Sequence, residues 1–350
     1  MDNKLIKNFY KKKIIFFSVQ TFNYERFIAE KLRSYGSEVI YYDERPNNSN
    51  FTKGIIRLKR SLYQRKIDAY YNEILKKTAY VQFDYLLVIR GEVVPAFFLK
   101  EFKSRNPDCT FIFYTWDAFA NHNHALSILN FFDRKFTFDT KDSIKYSIGF
   151  RPLFFIDEYK NILSQKTAKR YDTLFIGTAH SDRYIISDTI SEWCKKNSFK
   201  SYSFYYMHSL FVYVYKRLFE KGFEKVKLSK LSFKSASLDR IMNLYAESTI
   251  IVDIQHPNQS GLTMRTFEAI GAKKKLITTN QEILRYSFYN DNNILVIDRN
   301  NIILKKDFFK NDVEEISIEH YNLMSIDGWI TEIFFDSTNN FWIKKNSSNE

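Results

Sequence analysis

The sequence predicts an α/β protein made of two Rossmann-like, doubly wound parallel sheets in tandem, facing each other across a cleft. Three observations predict it. Apolar, strand-sized runs alternate with helix-spaced segments from Ile14 to Tyr114, the alternation loosens between Arg151 and Arg170, and it begins afresh at Thr173. Strands alternating with helices imply parallel sheets covered on both faces, whose ligands sit beyond the carboxyl ends of the strands. At 350 residues the chain exceeds one ordinary α/β domain, so two domains are expected.

In the first half, Ile14-Ile-Phe-Phe-Ser-Val19 reads as a strand, and Tyr24 to Tyr35 as a helix that stops at Gly36. Glu38 to Tyr42 is a second strand and Tyr63 to Thr78 an amphipathic helix. Tyr85 to Ile89 is a third strand, Pro95 to Ser104 a helix and Thr110 to Tyr114 a fourth strand. After the loosened segment, Thr173 to Gly177 is a strand, Tyr184 to Lys195 a helix and Thr249 to Asp253 a strand. A helix from Thr263 to Ala272 and strands at Lys275 to Thr279 and Ile294 to Ile297 complete the pattern. The expected organisation is therefore one doubly wound domain over residues 1–155 and a second over 156–316. Residues 317–350 would be a helix returning to the first domain, followed by a frayed tail from Asp336.

Composition narrows the classes. A hydrophobic fraction of 45% with 27% charged residues argues against both a disordered chain and a membrane-embedded one. The start, Met1 to Tyr10, lacks the apolar core of a signal peptide, and no segment reaches the roughly 18 apolar residues of a membrane span. A cytoplasmic protein is expected. Cys109 and Cys194 lie far apart, without disulfide or zinc-site spacing. The net charge of +13 draws the protein toward anions, whether a nucleotide, a phospholipid surface or nucleic acid. Basic stretches such as Lys11-Lys12-Lys13 and Arg57 to Arg60 read as solvated faces. No nucleic-acid motif and no Gly-x-Gly-x-x-Gly fingerprint is present, so a nucleic-acid partner is not expected.

The sharpest motif runs from Asp253 to Gly271, DIQHPNQSGLTMRTFEAIG. A buried strand enters a polar loop carrying Gln255, His256, Pro257, Ser260, Gly261 and Leu262, and the loop opens a helix with Thr263, Arg265 and Thr266 in its first turn. Backbone N–H groups at such a helix start, with Ser260 and Arg265 beside them, suit a diphosphate. Glu268 shares the helix face of Arg265 and is placed to accept hydrogen bonds from ribose hydroxyls. The plain alternative is a capped helix with an Arg/Glu pair on its surface.

Arg265-Thr-Phe-Glu268-Ala-Ile-Gly-Ala followed by Leu276-Ile-Thr-Thr279 resembles the donor-binding segment of GT-B glycosyltransferases. More narrowly, the chain resembles the CgeB-like glycosyltransferases and related lipopolysaccharide or capsule biosynthesis proteins. The resemblance implies that Glu268 binds the donor ribose and that Arg265 and the Ser260-Gly261-Leu262 loop hold the phosphates. It also implies catalysis without a bound metal or other cofactor, the nucleotide sugar being a co-substrate. The chain departs from the family pattern at Lys273 and Lys275, where a glycine and a proline are usual.

The second motif is Asp172-Thr-Leu-Phe-Ile-Gly177-Thr-Ala-His-Ser-Asp-Arg183. Gly177 at a strand end permits close backbone approach, while Thr178, His180 and Arg183 supply a hydroxyl, an imidazole and a fixed cation. An ordinary turn with Asp182 capping the next helix reads equally well. In the third, Tyr114-Thr-Trp-Asp117-Ala-Phe-Ala-Asn-His-Asn-His124, Asp117 is the carboxylate best placed as general base for an acceptor hydroxyl, the alternative again being a cap. His122 and His124 have no third metal ligand at sensible spacing and read as loop residues. Asp43-Glu44-Arg45-Pro46 and Arg90-Gly91-Glu92 close two first-domain strands and read either as acceptor contacts or as turns joined by a surface ion pair.

Together these predict a glycosyltransferase moving a sugar from a nucleotide donor to a bacterial surface glycan or glycolipid, with Asp117 and His180 catalytic and peripheral contact with anionic membrane. A nucleotide-sugar enzyme such as an epimerase, and a non-catalytic protein that binds anionic ligands, are the alternatives.

Overall fold

The computed structural model describes residues 2–164, 167–180, 182–220, 222–257, 259–335 and 341–344. Ser181 and Asn258 of the motifs above, and most of the expected tail, lie outside them. The chain divides into two compact units, one of residues 1–152 with 326–339 and the other of 153–325 with 340–350.

The first unit runs α1 (Asp2–Phe9), β1 (Lys13–Ser18), α2 (Tyr24–Ser34), β2 (Glu38–Asp43), α3 (Asn50–Lys59), α4 (Gln64–Lys77), β3 (Tyr85–Ile89), α5 (Ala96–Arg105), β4 (Thr110–Thr115), β5 (Arg134–Thr137), α6 (Thr140–Tyr146) and β6 (Gly149–Phe150). The second runs α7 (Asp157–Asn161), β7 (Tyr171–Thr178), α8 (Arg183–Lys196), β8 (Ser201–Tyr206), α9 (Leu210–Phe219), β9 (Leu231–Ser232), α10 (Leu238–Ala246), β10 (Ser248–Asp253), α11 (Met264–Gly271), β11 (Lys275–Thr278), β12 (Ile294–Val296), α12 (Lys306–Lys310) and α13 (Ile318–Leu323). A last helix, α14 (Ile326–Phe334), belongs to the first unit.

The first sheet has the order β2-β1-β3-β4-β5-β6 and the second β12-β11-β10-β7-β8-β9, with parallel pairing throughout. These are two Rossmann-like α/β units, the GT-B class of architecture. In each sheet the first strand has its successor on one side and a later strand on the other. That reversal falls between β1 and β3 in the first unit and between β7 and β10 in the second, and it opens a crevice at the carboxyl ends of those strands.

A parallel strand buried on both faces reads as a continuous apolar run, which is why Ile14, Ile15, Phe16 and Phe17 are all fully buried. Ile15 and Phe17 on β1, Leu86 and Val88 on β3, and Phe111 and Phe113 on β4 face one core with Ile67, Tyr71, Ile74 and Leu75 of α4. The spacing of those α4 positions is that of one helix face. Each such fully buried side chain contributes about 1.5–3 kcal/mol of transfer free energy.

The helical spacing over Ser317 to Phe335 resolves into two helices. The Phe155 N–H takes the Met324 carbonyl at 3.0 Å, a carbonyl that an unbroken helix would use itself, and Phe155 pairs with Ser325 as an isolated bridge. Beyond the break, Trp329 of α14 is fully buried and meets Tyr114 edge-on at 5.0 Å. Arg134 donates to the carbonyls of Ile333 and Glu332 at 2.7 and 2.9 Å, closing the carboxyl end of α14, and the buried Arg151 pairs with Glu332 at 2.6 Å.

Candidate functional site

In the second unit, the loops after β7, β10, β11 and β12 are tied together at the strand ends. Asp253, the buried last residue of β10, accepts hydrogen bonds from the hydroxyls of Thr263 and Thr266 at 2.7 and 3.0 Å. Burial raises its carboxyl above the ordinary value, against the pull of the Thr263 hydroxyl and of Arg265. Thr263 occupies the cap position of α11, yet its side chain makes no cap hydrogen bond. The loop before it is held from β11, where Asn280 donates to the carbonyls of Ser260 and Gly261, each at 3.2 Å. Gln255 pairs with Thr279, again joining the β10 and β11 ends.

Three guanidinium groups meet here. Arg183 donates to the Ile254 carbonyl at 2.7 Å and to the Thr178 hydroxyl at 3.0 Å, bridging the ends of β7 and β10. Arg299, after β12, holds both Asp182 carboxylate oxygens at 2.8 and 2.7 Å and donates to the Gln255 carbonyl. Arg265 lies 3.9 Å from Glu268. Burial lowers Arg183 below its ordinary value, and the nearby cations Arg265 and Arg299 add to that. For Arg265 burial acts in the same direction, but Tyr245, Glu268 and Asp253 outweigh it and hold the group above its ordinary value.

The residues singled out from the sequence in this unit thus gather at the β7/β10 reversal, with differences in detail. Glu268 is buried and accepts the Tyr245 hydroxyl at 3.0 Å, so the Arg/Glu pair is not a surface pair. The Leu262 side chain is buried, so its backbone is what the loop presents. A side chain at Gly177 would come within 2.8 Å of the Phe175 ring, so that glycine makes room for Phe175. Asp182 does not cap α8 with its side chain, because Arg299 holds it. His180 is exposed, its ring 5.5 Å from that of His256, and partial burial with Lys216 nearby lowers it below the ordinary histidine value. Lys275 is buried, donating to the Phe308 and Asn311 carbonyls at 2.9 and 2.7 Å at the end of α12. Arg299 was missed by the sequence reading, although its place directly after a strand was the available signal.

In the first unit, the ends of β2, β3 and β4 carry a second polar cluster. Arg90 and Gly91 both have positive φ, 93° and 67°, a winding rare for a residue with a side chain. It turns the N–H groups of Gly91, Glu92 and Val93 toward the fully buried Glu44 carboxylate, at 2.8, 2.6 and 3.4 Å. Burial pushes the Glu44 carboxyl up to about 8, despite the Gly91 N–H that favours its charge. Arg45 pairs with Glu92, both buried, so the ion pair joining these two loops is not a surface one. Asp117 is no helix cap either: its Oδ2 lies 3.2 Å from the Arg90 Nε and 3.9 Å from the His122 Nε2. The Arg90 guanidinium, which only donates, is bonded to the His122 Nε2, leaving the ring proton on Nδ1, 3.8 Å from Glu92. His124 sits apart, bonded through Nε2 to the Val94 carbonyl at 2.8 Å. Asp43 accepts from Asn48 at 2.7 Å and from the Arg45 N–H at 2.8 Å, which makes it a turn residue. Among the described residues no group of three His, Cys, Asp or Glu is placed to hold a metal ion, and no helix is long and apolar enough to cross a membrane.

No family model and no curated protein sequence matches the chain. Solved structures do resemble it. The assigned UDP-N-acetylglucosamine 2-epimerase of Listeria monocytogenes aligns over 96% of this chain and 100% of its own, with a TM-score of 0.51 at 12% identity. HepE of Anabaena, solved in complex with UDP and glucose, covers 91% of this chain and 98% of its own, with a TM-score of 0.51 at 11% identity. The N-terminal domain of Candida albicans trehalose-6-phosphate phosphatase covers 94% and 97%, with a TM-score of 0.55 at 8% identity. At such identities the likeness establishes the shared fold.

Proposed function

We propose that the protein is a GT-B glycosyltransferase that moves a sugar from a nucleotide donor to a bacterial surface glycan, such as lipopolysaccharide or capsule, in the cytoplasm. The observation that carries the reading is the convergence of Arg183, Arg265 and Arg299 at the β7/β10 reversal, beside a helix start whose cap residue is turned away. When the anomeric C–O bond of a nucleotide sugar breaks, negative charge grows on the departing phosphate. Guanidinium groups already fixed by Thr178, Asp182 and Glu268 meet that charge without reorganising, and the α11 N-terminus adds its dipole. In this reading Gly177, Thr178, Gln255, His256 and Ser260 to Thr263 line the donor site, and Glu268, steadied by Tyr245, accepts from the ribose. Asp117, held by Arg90, takes the acceptor proton.

HepE, of the same fold, was solved with UDP and glucose, which supports a nucleotide-sugar ligand here. The likeness to an assigned epimerase and the adjacent His180 and His256 rings favour a second reading, nucleotide-sugar epimerisation. A panel of nucleotides and nucleotide sugars in thermal unfolding tests both, since a ligand that binds the native state raises the melting temperature. Stabilisation by one nucleoside phosphate, with nucleotide release that requires a glycan acceptor, supports transfer. Interconversion of the free nucleotide sugar without acceptor supports epimerisation, and no stabilisation by any nucleotide overturns both.

A further inference from the structure

Helix α9 is inside out. Phe211, Leu218 and Phe219 are 79, 71 and 73% exposed, and Leu210, Val214 and Tyr215 are exposed with them. Positions 211, 214, 215 and 218 fall on one side of a helix, so these are a stripe and not scattered residues. Tyr213 is the buried residue of the helix, and the polar contacts lie around it. Its hydroxyl donates to the Val226 carbonyl at 3.1 Å and accepts from Arg217 at 2.6 Å, while Lys216 pairs with Glu220. A globular helix buries its apolar stripe, whereas this one turns its stripe to solvent. Single exposed apolar residues are ordinary, but six over three turns form a contiguous patch of the kind that marks a docking site.

What the patch fits is decided by its surroundings. The segment that follows carries exposed Lys225, Lys227 and Lys234, interleaved with exposed Leu228 and Phe233, while Lys230 is paired with Asp188 at 2.5 Å. It packs behind α9 through Phe223, whose ring lies 6.0 Å from that of Tyr213. A second copy of the chain, already at +13, would bring the same cations against these lysines. An anionic headgroup layer over an acyl interior complements both features at once. Ten helical residues span about 15 Å, too short to cross a bilayer core of about 30 Å but suited to lying in its surface.

We propose that α9 docks the protein on anionic membrane, with its apolar stripe in the boundary between headgroups and acyl chains and Lys225, Lys227 and Lys234 against the headgroups. The test is co-sedimentation of the full chain with vesicles of phosphatidylglycerol and phosphatidylcholine, and with phosphatidylcholine alone. Binding to the anionic vesicles is expected, weakened by about tenfold or more in Phe211→Glu/Leu218→Glu, and in Lys225→Glu/Lys227→Glu reduced to the level of neutral vesicles. A Phe211→Trp variant, which keeps the surface apolar, is expected to shift its emission to the blue when anionic vesicles are added. Undiminished vesicle binding by Phe211→Glu/Leu218→Glu, or no emission shift, overturns the proposal. So does sedimentation velocity showing self-association that this double variant abolishes while vesicles fail to bind, which would assign the stripe to a second copy.

Discussion

The Thr263 hydroxyl donates to the Asp253 carboxylate at 2.7 Å instead of capping the helix that Thr263 begins. A Thr cap is worth about 1 kcal/mol, so the side chain gives up a local bond for one that fixes the loop to the strand end. Asp253→Ala leaves the buried Thr266 hydroxyl and that of Thr263 without their acceptor. A loss of about 2 kcal/mol in urea unfolding is expected, together with weaker nucleotide stabilisation.

Arg265→Ala is expected to abolish the rise in melting temperature produced by the cognate nucleotide, with the unliganded melting temperature within a few degrees of the original. Glu268→Gln, which keeps the shape, is expected to weaken that rise in the same way. Unchanged nucleotide affinity in both would remove α11 from the donor site.

Asp117→Asn is expected to lower turnover by about a hundredfold or more with donor affinity unchanged, because the amide keeps the contact to Arg90 but takes no proton. Steady-state rates and nucleotide titrations separate the two effects. Retained turnover would pass the role to His180 or Glu92.

Glu44 predicts a pH dependence. Its folded value, about 8, lies above the ordinary 4.5, so the folded state holds a proton that the unfolded chain releases. The stability this contributes is complete below about 4.5 and is lost as pH rises through about 8. Urea midpoints at pH 5, 6.5 and 8 should therefore fall more steeply for the parent than for Glu44→Gln.

Glu332→Ala leaves the Arg151 charge in the interior without its carboxylate. A loss of about 3–5 kcal/mol in chemical unfolding is expected, and replacing both residues together with apolar ones should cost less than the single change.

The strands and helices that shape both reversals were legible because parallel strands buried on two faces cannot be written except as apolar runs. The same logic hid β8, Ser201–Tyr206, whose serines look like loop. Ser203 meets the Ser187 hydroxyl of α8 at 3.0 Å, so polar side chains pair across a strand-helix contact. Strand-end reasoning reaches Arg183, Arg265 and Glu268, which the structure places near the β7/β10 reversal, because each follows a strand within its own motif. It does not reach Arg299, and for Arg45 and Glu92 it leaves acceptor contacts and a surface ion pair as alternatives; the pair they form is buried, and it joins loops 47 residues apart, which spacing does not reveal. Helix α9 is absent from the sequence reading, and its spacing could not have told which side faces out, because periodicity carries a face and no direction.

The return of α14 to the first unit makes the chain path interlaced, since residues 340–350 belong again to the second. Arg134 bonds to the Ile333 carbonyl across 199 residues of sequence, and all of residues 153–325 lies between the two parts of that unit. During synthesis the sheet around Tyr114 emerges long before Trp329, the residue that covers it, so the amino-terminal unit is begun first but completed only after residues 153–325 have been made. Until then it displays an open apolar face, and residues 153–325, the larger part of the second unit, have the time to fold beside an unfinished neighbour. Chaperone demand and sensitivity to premature termination should accordingly concentrate in the half that is translated first.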